Sequence, residues 1–291
     1  MIEAKTGVSP SAAIFAPLTI FVEGKFDEEI LSILFRGINI RVKPLGHSGA
    51  IRSVAEALHK YHPEYFFIAD MDHFDKESVD RCWEKFPDPS SHNLLMWRKR
   101  EIENYFIEPR LLAQSQFFKG NEDDLSGRIC EYAGERIFLD VANFVIIRIR
   151  ELMKEKWIEI FDKNKLGEFK TKDSARAKLL GRNEFNEQRS KTQTHTSQAK
   201  IAQLFDEYVE EFMGGSTLPV FEVGRWGDLI QGKELYKKII NNSGFFTRPI
   251  QEPNNTSFDE HVAKELLKDP DVQKPSDFIK LRDLIKEKIL A

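Results

Sequence analysis

The stretch Leu18-Thr19-Ile20-Phe21-Val22-Glu23-Gly24-Lys25-Phe26-Asp27, continued by Glu28-Glu29-Ile30-Leu31-Ser32-Ile33-Leu34, decides the fold. Leu18 to Val22 reads as a buried strand. Gly24 permits a sharp turn, and a helix follows whose first turn holds Asp27. Glu23 then stands at the strand's carboxyl end. In an open parallel sheet that end faces the ligand crevice, so a carboxylate placed there points to chemistry and not to packing.

Outward from this stretch, strands and helices alternate. A helix is expected over 26–35, a strand over 38–45, and a helix over 50–60 after the turn Gly46-His47-Ser48-Gly49. Tyr65 to Ala69 is a continuous apolar run between Pro63 and the acidic Asp70-Met71-Asp72, the pattern of a central strand buried on both faces. A helix over 76–85, a strand over 93–97 and a helical stretch opening at 101–106 complete the series. The order predicts βαβ units, hence an α/β fold with a Rossmann-like parallel sheet flanked by helices.

From about Leu111 the apolar spacing changes to three and four, with Ile137, Val141, Phe144, Val145, Ile149, Leu152, Trp157, Ile160 and Phe161 on one stripe. One long amphipathic helix over 137–161 is expected. Its stripe is ordinary core or, alternatively, a homodimer interface. The segment 165–200 carries nine Lys or Arg against four acids, and is either a phosphate-contacting surface or a solvated face. A helix over 201–213 is closed by Gly214-Gly215. A strand is expected over 218–223 and a helix over 233–240, followed by a loop-rich segment over 241–255. Ser257-Phe258-Asp259-Glu260 reads as a capping box, and Ser276 as the cap of a last helix over 277–290. The expected organisation is a catalytic core at 15–110, a helical insertion at 111–215, a return to the core at 216–245, and C-terminal helices at 246–291.

Composition bounds the remaining possibilities. The 291 residues are 41% hydrophobic and carry a formal charge of -4, enough apolar material for at least one full core. No apolar run approaches the roughly 18 residues that span a bilayer. The start lacks a basic region followed by an apolar one, so a cytoplasmic protein without a membrane partner is expected. Cys82 and Cys130 form no Cys-x-x-Cys pair, which leaves neither a disulfide framework nor a zinc ribbon.

Three acidic pairs fall where the sheet should expose them: Glu23 with Asp27, Asp70 with Asp72, and Glu101 with Glu103. In an extended segment Asp70 and Asp72 would point to the same side and share one cation, with Glu23 reaching it from a neighbouring strand end. Oxygen ligands without histidine or thiolate favour Mg2+, or Mn2+ in its place, over zinc. Such ions suit phosphoryl transfer. Asp27 also reads as a helix-capping acid, and Glu101 and Glu103 as first-turn acids that favour a helix dipole.

Phe21-Val22-Glu23-Gly24-Lys25-Phe26-Asp27 resembles the first motif of the Toprim family, and Ile68-Ala69-Asp70-Met71-Asp72 its second. Arg100-Glu101-Ile102-Glu103-Asn104-Tyr105-Phe106 is similar to the third acidic motif of the overcoming-lysogenisation-defect nucleases within that family. Gly232-Lys233-Glu234-Leu235 resembles their late lysine motif. The resemblance covers about 20–110 and 225–240. It implies a Toprim-type endonuclease in which Glu23, Asp70, Asp72, Glu101 and Glu103 hold metal and Glu23, Asp27 and Glu103 include the general acid or base. Lys233 would neutralise the scissile phosphate; its alternative reading is a solvated lysine.

Gly227-Asp228-Leu229-Ile230-Gln231-Gly232-Lys233-Glu234 matches a phosphate-cradling loop except at its last position, where Glu replaces the hydroxyl that binds Mg2+. An ATPase is therefore not expected in this segment. A compact Toprim nuclease of this kind is similar to the AriB-type effectors of PARIS anti-phage defence systems. That resemblance implies an ABC-type ATPase partner, abortive infection, cleavage of host tRNA, and dimerisation on activation. DNA nicking and a non-catalytic regulatory role are the competing expectations.

Overall fold

The computed structural model describes residues 18–46, 48–59, 61–62, 64–72, 74–153, 183–249 and 257–288. Four strands, β1 (Leu18–Val22), β2 (Ile40–Pro44), β3 (Tyr65–Ala69) and β4 (Leu94–Met96), form one all-parallel sheet in the order β2-β1-β3-β4. Twelve α-helices accompany it among the described residues. Ile20 pairs with Val42 on one side and Phe66 on the other, and Ile68 pairs with Leu95. The chain steps outward from β1 to β2 and then crosses to β3 on β1's other side. The gap between β1 and β3 is thus the switch point at which open α/β sheets bind ligands.

The sheet forms where the apolar runs are. Ile20, Val22, Phe67 and Ala69 are fully buried, and burying one such large side chain contributes about 1.5–3 kcal/mol. Helices Lys25–Leu34, Ser48–His59 and Lys76–Lys85 follow β1, β2 and β3 and pack on the sheet. Ile51 and Ala55 from the second of these meet Phe67 and Ala69 in one core cluster. The third is started by Asp75, whose carboxylate accepts the Ser78 N–H at 2.9 Å.

The chain divides into two compact units, Met1–Glu135 with Trp226–Ala291, and Arg136–Arg225. The insertion expected at 111–215 therefore begins later: helix Glu122–Gly134 packs against helix Gly232–Asn242 in the first unit. The expected C-terminal segment belongs to that unit too. Helix Phe258–Lys268 packs on helix Lys25–Leu34, where Lys264 and Glu29 form an ion pair. Helix Ser276–Lys288 sends Phe278 into an aromatic cluster with Trp97, Tyr105 and Phe106, at centroid distances of 5.5, 5.1 and 5.9 Å.

The second unit is helical. Phe144 of helix Ile137–Leu152 packs edge-on against Tyr208 and Phe212 of helix Gln198–Met213. Arg136 and the buried Asp140 pair at 2.8 Å. Gly214 ends the second helix in the left-handed conformation, φ 56°, as its glycines suggested. The stripe residues Trp157, Ile160 and Phe161, and the basic positions 165–182, lie outside the described residues. The remainder of the basic segment falls on helix Asn183–His195 and the start of Gln198–Met213, where Arg189 and Lys191 are exposed.

Three local expectations are overturned. Residues 218–223 form turns and irregular backbone instead of a strand. Pro219 offers no ladder donor, Leu218 is 69% exposed, and Glu222 and Gly224 take φ 67° and 66°. A Cβ on Gly224 would lie 2.2 Å from the Phe212 carbonyl, so the close approach requires glycine. At the second site Ser257 does stand at the start of its helix, but its hydroxyl makes no capping hydrogen bond. The last helix begins at Ser276 itself, the Phe278 N–H bonding to the Pro275 carbonyl at 3.0 Å.

Candidate active site

Glu23 and Asp70 stand at the carboxyl ends of β1 and β3, on either side of the switch point. The Asp70 backbone N–H donates to Glu23 Oε1 at 2.9 Å, while Asp70 Oδ1 is buried with no hydrogen-bond partner. Asp72 departs from the expected extended geometry. It takes φ 53°, so the rule that places alternate side chains on one face does not apply to Asp70 and Asp72. Its carboxylate lies 3.6 Å from Arg52 Nη2, which also donates to the Asp70 carbonyl at 3.2 Å.

Asp27 is buried in the first turn after β1 and accepts the Gly24 N–H at 3.2 Å. It caps its helix, as one reading of the sequence held, and still lies within electrostatic reach of Glu23, Asp70, Glu101, Glu103 and Lys233. Glu101 and the buried Glu103 come from the 3-10 turn Ile102–Phe106 and the residue before it. Arg98 and Tyr105 hold this turn in place: Asp277 accepts from Arg98 Nη1 and from the Tyr105 hydroxyl, both at 2.7 Å. Lys233 opens helix Gly232–Asn242, and its backbone N–H donates to Glu101 Oε2 at 2.7 Å.

Backbone bonds connect these pieces. The Asp72 N–H reaches the Arg100 carbonyl at 3.2 Å, and the Arg100 N–H reaches the Asp228 carbonyl at 2.7 Å. Residues 23, 70, 101 and 233 are thereby gathered into one crevice although up to 210 positions separate them. The loop 227–232 is no phosphate cradle here, because the amide after it is already taken by the Glu101 carboxylate.

The crevice holds more negative charge than it neutralises. Burial pushes the Glu23 carboxyl up to about 7, with Asp72 and Asp27 adding repulsion. Burial likewise raises Asp27 to about 6, and raises Glu103 to about 8 with help from Asp27 and Glu101. Asp70 is driven well above the ordinary carboxylate range by burial and by four neighbouring acids. Arg52 favours the ionised form of Glu23, and Lys233 does the same for Asp27 and Glu103.

A hard divalent cation fits this donor set. The candidate donors are all oxygen, one buried carboxylate oxygen lacks any partner, and a cation would offset the burial and the mutual repulsion that favour the neutral form of Glu23, Asp27, Asp70 and Glu103. Among the described residues no three His, Cys, Asp or Glu side chains are grouped closely enough to hold one ion between them. Asp72 is turned to Arg52, and Glu101 to the Lys233 amide.

Sequence reasoning missed Arg52. It lies on an amphipathic helix, stacks over Phe74 at 4.3 Å and reaches the Asp70–Asp72 loop, but a lone arginine in a helix carries no motif. No protein-family model, no curated protein and no solved structure matches this chain. Among the described residues, no helix is long and apolar enough to cross a membrane.

Proposed function

We propose that this chain is a divalent-metal-dependent endonuclease of Toprim type. The observation that carries the reading is the gathering of Glu23, Asp27, Asp70, Asp72, Glu101, Glu103 and Lys233 around the β1–β3 switch point. Glu23, Asp70 and Asp72, with Glu101 and Glu103 beside them, would hold Mg2+ or Mn2+. The ion supplies Lewis-acid stabilisation of a phosphodiester and lowers the pKa of bound water. Burial raises Glu23, Asp27 and Glu103 above the ordinary carboxylate range, and Asp27, which is outside the proposed ligand set, would be the one placed to hold or release a proton beside the bound ion. Lys233, exposed at a helix N-terminus, offsets charge on the scissile phosphate.

By resemblance to AriB-type effectors, the biological reading is a cytoplasmic anti-phage toxin. It is held by an ABC-type ATPase and released to cleave host tRNA as a homodimer. DNA is the rival substrate, since the carboxylates act on either backbone.

The test is cleavage of total tRNA and of supercoiled plasmid with Mg2+ or Mn2+, followed by sequencing of RNA ends after co-expression with an activated partner. Cleavage that disappears in folded Glu23→Ala and Asp70→Ala chains supports the nuclease reading; unchanged activity in both overturns it. Discrete ends in one tRNA favour RNA, whereas intact RNA with nicked plasmid assigns DNA. Inactivity of the unaltered chain on every substrate, in every cation and with its partner, favours a regulatory Toprim subunit.

A further inference from the structure

We propose that Asn104 is the positioning residue of this site, a carboxamide clamp that sets Lys233 against Glu101 and Glu103; the inference rests on the nuclease reading. Asn104 is 1% exposed and belongs to the same 3-10 turn as Glu103. Its Oδ1 accepts the Glu101 N–H at 3.0 Å. Its Nδ2 donates to the Gly227 carbonyl at 3.0 Å and to the Ile230 carbonyl at 2.9 Å. Both amide hydrogens and the amide oxygen are therefore committed, which fixes the side chain's orientation.

The two carbonyls belong to the segment that delivers Lys233. Gly232, the residue before it, lies so close that a Cβ there would stand 2.1 Å from Asn104 Oδ1 and 2.8 Å from the Asn104 backbone nitrogen. Glu101, tied to Asn104 through its backbone N–H, returns its own carboxylate to the Lys233 amide at 2.7 Å. Two segments more than 120 residues apart are thus locked in one register by a single amide. Asp is the same size but carries no donor, so it would set an oxygen against two carbonyls. Ala would leave those carbonyls and the Glu101 N–H without their partner. All three of its hydrogen bonds go to backbone atoms of this chain, so its role is to position the groups that would meet the cation and the phosphate.

The experiment compares the full chain with Asn104→Ala and Asn104→Asp. It combines cleavage kinetics on total tRNA and supercoiled plasmid in Mg2+ with amide hydrogen exchange and thermal denaturation. In both variants the Lys233 amide is expected to lose exchange protection while the β1–β3 amides keep theirs. The kcat should fall about 10- to 100-fold with KM within about threefold. The ratio of parent to Asn104→Asp rates should narrow as pH falls from about 8 to 6, because a protonated carboxyl regains one donor. If Asn104→Ala also loses sheet protection, the isosteric Asp variant decides.

Parental kcat in the deciding variant, or an unchanged Lys233 amide, overturns the clamp and leaves the nuclease reading intact. A parent chain that cleaves neither substrate removes the nuclease reading and the inference with it.

Discussion

Glu23, at the end of β1, accepts the backbone N–H of Asp70, at the end of β3, at 2.9 Å. One oxygen of the carboxylate thus ties the two strand ends together at the switch point. Under the proposed nuclease reading the same carboxylate would also hold metal, so its substitutions test both roles.

Glu23→Gln keeps an oxygen for the Asp70 N–H but removes the charge. Metal-dependent cleavage is expected to fall at least about 100-fold. The melting temperature in chelator at pH 8 should rise, because an ionised acid no longer sits buried among like charges. Kinetics and thermal denaturation on the same preparation check both; a rate near the parent's removes Glu23 from the chemistry.

The pH dependence has a definite sign. Glu23 and Glu103, at about 7 and about 8 in the folded chain, lie above their ordinary 4.5. The folded state keeps protons that the unfolded chain has already released. The stabilisation is fully present below about 4.5 and is lost as pH rises through 7 and 8. Thermal stability in chelator should therefore decline across pH 5 to 8, and added Mg2+ should stabilise more at pH 8 than at pH 6. A flat profile would contradict the burial of these acids.

Gly232→Ala forces a methyl into the Asn104 amide and backbone, and the backbone nitrogen at 2.8 Å cannot swing away. A cost of about 1–3 kcal/mol is expected in urea denaturation. Gly227→Ala, where a Cβ meets nothing within 4 Å, serves as the comparison and should be neutral or slightly stabilising. Equal losses in the two would refute the steric account.

Asp277 receives both Arg98 and the Tyr105 hydroxyl, so Asp277→Ala leaves the buried phenol without its acceptor and Arg98 with Asp80 as its remaining carboxylate. The expected cost is about 1–3 kcal/mol. Tyr105→Phe removes the donor to Asp277 and the acceptor of the Arg98 backbone N–H, and should cost about 1–2 kcal/mol. Because both act on one network, the double variant should lose less than the sum of the two, as measured by a double-mutant cycle in urea.

Much of this architecture was legible in local pattern. Leu18 to Val22 and Tyr65 to Ala69 show themselves as buried strands through unbroken apolar runs, and their ends place Glu23 and Asp70 without reference to anything distant. The error at 218–223 has the same source. Leu218, Pro219, Val220, Phe221 and Val223 are apolar enough for a strand, but backbone at Glu222 and Gly224 in the left-handed region breaks the extension.

The sequence by itself determined the parallel α/β sheet and the acidic residues at its carboxyl edge, because strand and helix periodicity and strand-end position are local properties of the chain. Only the tertiary structure decided that Asp72 turns to Arg52, that the Glu101 carboxylate caps the Lys233 helix, and that Asn104 joins the two segments. Those contacts depend on how distant elements pack and on a glycine small enough to let them meet, and no short-range periodicity encodes them.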